Sequence, residues 1–384
     1  MQAYLDHAAT TPLRPEALAA MVPFLTEHFG NPSGSHALAR RARRAVDEAR
    51  QEVAACLGCD PGEVVFTSGG TESDNLAVLG VLGVHGVRPG KVLCSAIEHD
   101  AVRHACAAVG GAVIPVRASG EVDLDALADA LGPEVRLVSV MLANNEVGTV
   151  QPLRAVAALV RARAPGARVH TDAVAAVGWL DVAELAVDAD LVSVSAHKFG
   201  GPKGVGALVV RAGVMLAPVA YGGPQERDRR PGTHDVAGIV GMAAALRVAT
   251  DGRAQAVRRV GALRDRMADG LRASIAGLRE TAVRAGPGGV PERSAKVAAS
   301  CHLCVAGVDN EELLVLLDES GVCASAGAAC ASGALEASHV LLAMGLDPAE
   351  ARTALRLSLG HTTTDAEVDH VLAVMPKIVE RLRA

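Results

Sequence analysis

The sequence predicts an α/β protein: a parallel sheet covered by helices on both faces, followed by a smaller C-terminal region of different texture. Three observations carry this. Through the first two thirds, short β-branched runs alternate with longer helical stretches, the pattern of a sheet buried on both sides. The 384 residues exceed what one compact core of ordinary size holds, so one large and one smaller domain is the default. Near residue 255 the alternation gives way to a long Arg-rich helix, the loop "RAGPGGVPERSAK" and shorter elements. The boundary is therefore expected at 250–260: residues 13–255 as the large domain, 256–384 as a smaller α+β domain, and 1–12 packing against the latter.

In chain order, "EVVFTS" reads as a strand and a helix opens at Thr71-Glu72-Ser73-Asp74. "KVLCSAI" is the next strand, with a helix from about Asp100; "GAVIPV" leads to a helix at "DLDALADAL". "VRLVSVML" is followed by a helix at "PLRAVAALVRARA", then by the strands "RVHTDAV" and "ADLVSVSA". Sheets of this kind bind ligands beyond the C-terminal ends of their strands, so polar residues there are the first candidates.

Composition removes several functions. A net charge of −6 leaves no electrostatic footprint for nucleic acid. The cluster Arg40, Arg41, Arg43 and Arg44 lies in a helical pattern and reads as a solvated face rather than a phosphate patch. The start, "MQAYLDHAATTPLRP", has no signal-peptide run, and the longest apolar stretch, "LAVLGVLGVHGV", is too short to span a bilayer. A cytoplasmic protein with reduced thiols is expected. Two C-x-x-C pairs invite a zinc reading. However, Cys301 and Cys304 fall on a strand pattern, where i,i+3 thiols point to opposite faces, and Cys56/Cys59 close a helix with no histidine near. Buried thiols in an Ala-rich core are the better account, and no metal is expected.

Four strand ends carry unusual residues. "FTSGGTESDN" places Gly69, Gly70 and Thr71 at a strand-to-helix turn, either an anion cradle or an ordinary Gly-rich turn with a capping box. His99 follows "KVLCSAI", a weak signal alone. Asp172 ends an apolar strand and must find a partner, a helix cap being the plain alternative. Ser195, His197 and Lys198 follow a fully apolar strand. The chain has five lysines, against 37 Lys plus Arg. A partly desolvated amine at a sheet mouth is poised for nucleophilic chemistry that arginine cannot perform. Lys203, in a Gly/Pro turn, is expected to face water. An amine for an aldehyde, an acid for a ring nitrogen and an anion cradle are together what pyridoxal 5'-phosphate (PLP) requires.

The motifs "YLDHAATTP", "GNPSGSH", "VVFTSGGTESDNLA", "EHDAV", "NNEVGTVQP", "HTDAV", "HKFGGPKGVGAL", "GGPQERDRRPGT", "SAGAACASG" and "LRLSLG" run in order over nearly the whole chain. With them the chain resembles the cysteine desulfurases of the NifS/IscS type, class V aminotransferases of PLP fold-type I. The resemblance implies a mainly parallel seven-stranded sheet and conversion of L-cysteine to L-alanine, with a persulfide passed to sulfur-acceptor proteins. It implies that Lys198 binds the PLP aldehyde, Asp172 pairs with the ring nitrogen, and His99 stacks on the ring and moves protons. Gly70, Thr71, Ser195 and His197 would hold the phosphate, and Asn145 and Arg356 the substrate carboxylate. Thr233 would reach the phosphate of a partner subunit, implying a homodimer. Cys330, in the loop at about 323–337, would be the persulfide-forming thiol, with Cys323 as its competitor. A selenocysteine lyase or other PLP β-lyase, and more remotely a non-catalytic scaffold, are the alternatives. Ala175 stands where the family usually has Gln, so a hydrogen bond to the cofactor's phenolic oxygen is expected to be missing. Tyr221, Pro224, Ala326 and Ala329 are further departures.

Overall fold

The computed structural model describes residues 2–83, 90–286, 291–327 and 337–384. A seven-stranded sheet occupies the centre. Its strands, numbered along the chain, are β1 (Val64–Thr67), β2 (Lys91–Ser95), β3 (Ala112–Ile114), β4 (Val135–Ser139), β5 (Arg168–Asp172), β6 (Leu191–Ser195) and β7 (Gly206–Val210). In space they run β1-β7-β6-β5-β4-β2-β3. The pairs β6–β5, β5–β4, β4–β2 and β2–β3 are parallel, whereas β7 is antiparallel to both its neighbours. The expectation of a mainly parallel sheet holds, and β7 is the strand that the alternation did not reveal. It follows β6 through the "GGPKG" turn rather than through a helix, so it returns antiparallel and carries the edge strand β1 on its far side. Every residue of β6 and β7 is buried, as apolar strands covered on both faces must be.

The buried apolar residues gather mainly into two cores bridged by one helix, Val236–Ser274. Its first half, through Ile239, Met242 and Leu246, packs into the core on one face of the large sheet. Its second half, through Val260, Leu263, Met267 and Leu271, packs against an antiparallel sheet of Leu278–Glu280, Ser300–Val305 and Ala354–Ser358. The change of texture seen near 255 therefore falls inside a continuous helix that begins earlier than the sequence suggested. Cys301 and Cys304 enter different apolar clusters, so they do point to opposite faces of their strand.

Two further features position the site. The N-terminal segment crosses the molecule: Ala3–Tyr4 pairs in parallel with Val322–Cys323, and Asp6 bridges to Ser358. The stretch Glu226, Arg227, Asp228 has φ of 48°, 58° and 63°, three successive non-glycine residues in the left-handed region. That conformation costs roughly 1–2 kcal/mol per residue and persists only where the surroundings hold it.

Candidate active site

The C-terminal ends of β1, β2, β5 and β6 open on one cavity of about 260 Å³, lined by Gly70, Thr71, His99, Asn145, Asp172, Ser195, His197, Lys198 and Arg356, together with Ala8, Ala9, Asp74, Met141, Val174 and Ala175. A smaller adjoining cavity of about 40 Å³ shares Ala8, Asn145, Ala175, Lys198 and Arg356 with it and is walled by Trp179, Val297 and Leu359. The residues marked by the sequence thus converge, with two exceptions. Thr233 is exposed and does not line the cavity, and Cys330 lies outside the described residues.

Lys198 ends a short 3-10 turn, Ala196–Lys198, that immediately follows β6. Its Nζ donates to the carbonyls of Ala8 at 2.5 Å and Ala9 at 2.9 Å. Burial and the nearby Arg356 charge push the amine down to about 8, against the opposing pull of Asp172 and Asp6. Lys203 is exposed, as its turn suggested.

Asp172 closes β5 and is buried; its Oδ1 accepts from the Val174 N–H at 2.8 Å. Burial raises its pKa although His99, the Val174 N–H and Lys198 each favour the anion. A carboxyl so placed would be returned to its charged form by a cationic partner. The helix-cap alternative does not apply, because its bond goes to a turn rather than a helix start. His99 caps the helix Asp100–Ala108, its Nδ1 accepting from the Ala101 N–H at 3.2 Å. In the neutral ring the proton is therefore on Nε2.

Helix Gly70–Leu82 begins beside the cavity with Gly69 as N-cap and no side-chain cap, so the capping-box alternative fails. Its first N–H groups and the positive end of its dipole are left to a ligand. Close approach dictates the glycines: a Cβ on Gly70 would meet Val174 Cγ2 at 2.8 Å, and Gly69 has φ +148°. Ser195 and His197 border the same space; burial and the Lys198 and Lys203 charges hold His197 neutral, at about 4.

Arg356, on the strand Ala354–Ser358, is almost fully buried at 2% exposure. It donates through Nη2 to Asp6 Oδ1 at 2.8 Å and through Nη1 to Asn145 O at 3.1 Å, while its Nε has no partner among the described residues. A buried guanidinium at a cavity wall with its Nε unpartnered among the described residues suits a carboxylate ligand. Arg356→Lys keeps the charge but loses the fork, and an increase in KM of roughly a hundredfold is expected, larger than the fall in kcat. Steady-state kinetics check this.

Two contributions escaped the sequence reading. One is the N-terminal segment, whose Ala8 and Ala9 carbonyls and Asp6 carboxylate hold Lys198 and Arg356. The other is Asp74, whose Oδ1 lies 3.6 Å from His170 Nε2 and has no hydrogen bond among the described residues. Burial and the neighbouring Asp172 charge raise Asp74 well above its ordinary value, and burial lowers His170 to about 3, so both shifts favour the uncharged forms. The short polar "TESD" run could have flagged Asp74, whereas a backbone carbonyl leaves no mark in a sequence.

The cavity meets the demands of PLP: an amine of lowered pKa, a buried acid seeking a cation and an uncapped helix start. Ala175 lines both cavities and offers no hydrogen-bonding side chain there.

Comparison with known proteins agrees. The class-V aminotransferase family pattern matches residues 3–371. A cysteine desulfurase of Cereibacter sphaeroides is 45% identical over 390 residues, covering 99% of this chain and 96% of its own. A solved NifS-like protein superposes with a TM-score of 0.90 at 33% identity, covering 99% of this chain and all (100%) of its own. The structure of SspA in complex with cysteine gives a TM-score of 0.78 at 30% identity, with 94% of this chain and 100% of that one covered. The chain belongs to the class-V aminotransferase family, in the branch whose relatives are cysteine desulfurases.

Proposed function

We propose that this protein is a PLP-dependent cysteine desulfurase, converting L-cysteine to L-alanine and carrying the sulfur as a persulfide on Cys330. The observation that carries this reading is that one cavity gathers Lys198, Asp172, His99, the glycine turn and Arg356. Asp172 would face the ring nitrogen, Gly70, Thr71, Ser195 and His197 the phosphate, and Arg356 with Asn145 the substrate carboxylate. The cofactor, when bound, supplies an electron sink for charge developing beside the substrate's Cα. Lys198 Nζ, partly neutral near physiological pH, takes and returns protons there. His99 Nε2 delivers or accepts a proton at the cavity side. The Cys330 thiolate forms the new S–S bond as the substrate's Cβ–S bond breaks; the electron pair stays with carbon, which is then protonated.

The same reading takes the protein as a cytoplasmic homodimer. Leu18, Val22 and Leu25 share one face of the helix Pro15–Thr26 and, with Phe29, are 46–71% exposed, an apolar surface suited to a second copy. Thr233 is exposed, as a residue serving a partner subunit would be. The cysteines among the described residues are free, consistent with a reducing compartment. No described helix is long and apolar enough to cross a membrane. The sulfur acceptors in view are iron–sulfur scaffolds, tRNA-thiolation proteins and DNA-phosphorothioation enzymes. Incubation with L-cysteine should yield L-alanine in step with sulfur released; accumulation of pyruvate would instead indicate a β-eliminating lyase.

A further inference from the structure

The strained stretch Glu226–Asp228 has no role in the chemistry above, yet its first residue is buried and held by several bonds, while Arg227 and Asp228 are exposed. Glu226 is 5% exposed. Its Oε1 accepts from Arg50 Nη2 at 2.6 Å and pairs with His234 Nε2 at 2.7 Å. Its Oε2 accepts from Arg50 Nη1 at 2.8 Å and from the Phe66 N–H at 2.9 Å. Arg50 Nη1 also donates to Val64 O at 2.7 Å, and the guanidinium lies 4.6 Å over the Phe66 ring. Burial alone would raise this carboxyl, but the His234 and Arg50 contacts outweigh it and hold Glu226 at about 2.

The knot grips β1 two residues before the turn Ser68-Gly69-Gly70. A second tie grips the other side of that turn. Glu72 Oε2 accepts from the Ser68 N–H at 2.6 Å, and its Oε1 accepts from Arg230 Nε at 2.8 Å. The segment between the ties is itself closed: Gln225 Oε1 accepts from the Gly232 N–H at 3.1 Å, while His234 returns to Glu226. Thr233 therefore sits between Gly232, bonded back to Gln225 just before the strained stretch, and His234, bonded to Glu226 within it. The left-handed conformation turns the chain so that Glu226 enters the interior while Arg230 reaches Glu72.

We propose that Glu226 and the Glu72–Arg230 pair are positioning residues: they strap the segment bearing Thr233 to both flanks of the Gly69–Gly70 turn and preset the anion cradle for the cofactor's phosphate. This rests on the PLP reading above. A general structural role would weaken every ligand of the cavity, whereas this role acts on the phosphate alone.

The test titrates pyridoxal 5'-phosphate and, separately, pyridoxal without phosphate into the full-length protein stripped of cofactor, followed by visible absorbance. In Glu226→Gln, affinity for the phosphorylated form should fall about tenfold or more, while that for pyridoxal changes less than about twofold. Glu72→Gln and Arg230→Lys should show the same selectivity with about a threefold loss. If Glu226→Gln fails to fold, these two milder variants decide the matter. Equal losses for both ligands, or unchanged affinity for the phosphorylated one, overturn the inference while leaving the PLP reading intact. Wild-type protein that takes up no pyridoxal 5'-phosphate overturns both.

Discussion

Replacing Lys198 by Arg or Ala should lower sulfur release from L-cysteine by at least about a thousandfold. Arginine keeps the positive charge and much of the length, so a purely electrostatic or packing role would leave substantial activity. It has no amine that can join an aldehyde and no accessible neutral form. At its ordinary value of 10.5 the lysine would be almost wholly protonated at pH 7; at about 8 its neutral fraction is larger by roughly two orders of magnitude. Uptake of PLP by the stripped wild-type protein should therefore rise with pH through about 8 and then level, with no such rise for Lys198→Arg. Borohydride reduction and peptide mapping should label the wild-type peptide containing residue 198 and leave the variant blank. Label on Lys203 or Lys296 would refute the assignment. Lys296 is the sterner control, since burial lowers it too to about 8, but its Nζ is bonded to Thr281 O and lies beside Glu280, away from the cavity.

The strand ends were legible because their physics is local. An apolar β-branched run followed at once by Asp, His or Lys states both the strand and the place where polar chemistry emerges from it. Lys198, Asp172, His99 and the glycine turn were found in this way, and the structure brings them to one cavity. What sequence could not give depends on distant chain or on backbone. Asp6 meets Arg356 across 350 positions, and Ala8 and Ala9 act through carbonyls. Strand β7 went unseen because a tight glycine turn replaces the helix that marked the others. Left-handed φ at Glu226 and Arg227 runs against the preference of those residue types, and the bonds that hold Glu226 to distant Arg50 and Phe66 are what a sequence does not display.

Cys330→Ala should remove the enzyme persulfide and cut sulfur delivery to an acceptor by about a thousandfold or more, while the visible band of bound PLP persists. The other seven thiols are poor substitutes. None lines either cavity at the sheet mouth. Cys94, Cys106, Cys301 and Cys304 are buried, and burial pushes Cys59 up to about 12 and raises Cys56, which keeps both as unreactive thiols at neutral pH. Cys323 was the competitor on sequence grounds. It is held in the short strand Val322–Cys323 against Ala3–Tyr4, and its sulfur accepts from Gln2 Nε2 at 3.6 Å. A thiol fixed in a paired strand cannot both attack in the cavity and present its sulfur elsewhere, which removes Cys323 as the competitor to Cys330. Mass spectrometry of protein quenched during turnover should find the added sulfur on the Cys330 peptide, and Cys323→Ala should leave that adduct in place. An adduct that follows Cys323 would reverse the assignment. Sulfide and pyruvate still released at the wild-type rate by Cys330→Ala would instead show that elimination, which needs no thiol nucleophile, is the reaction performed.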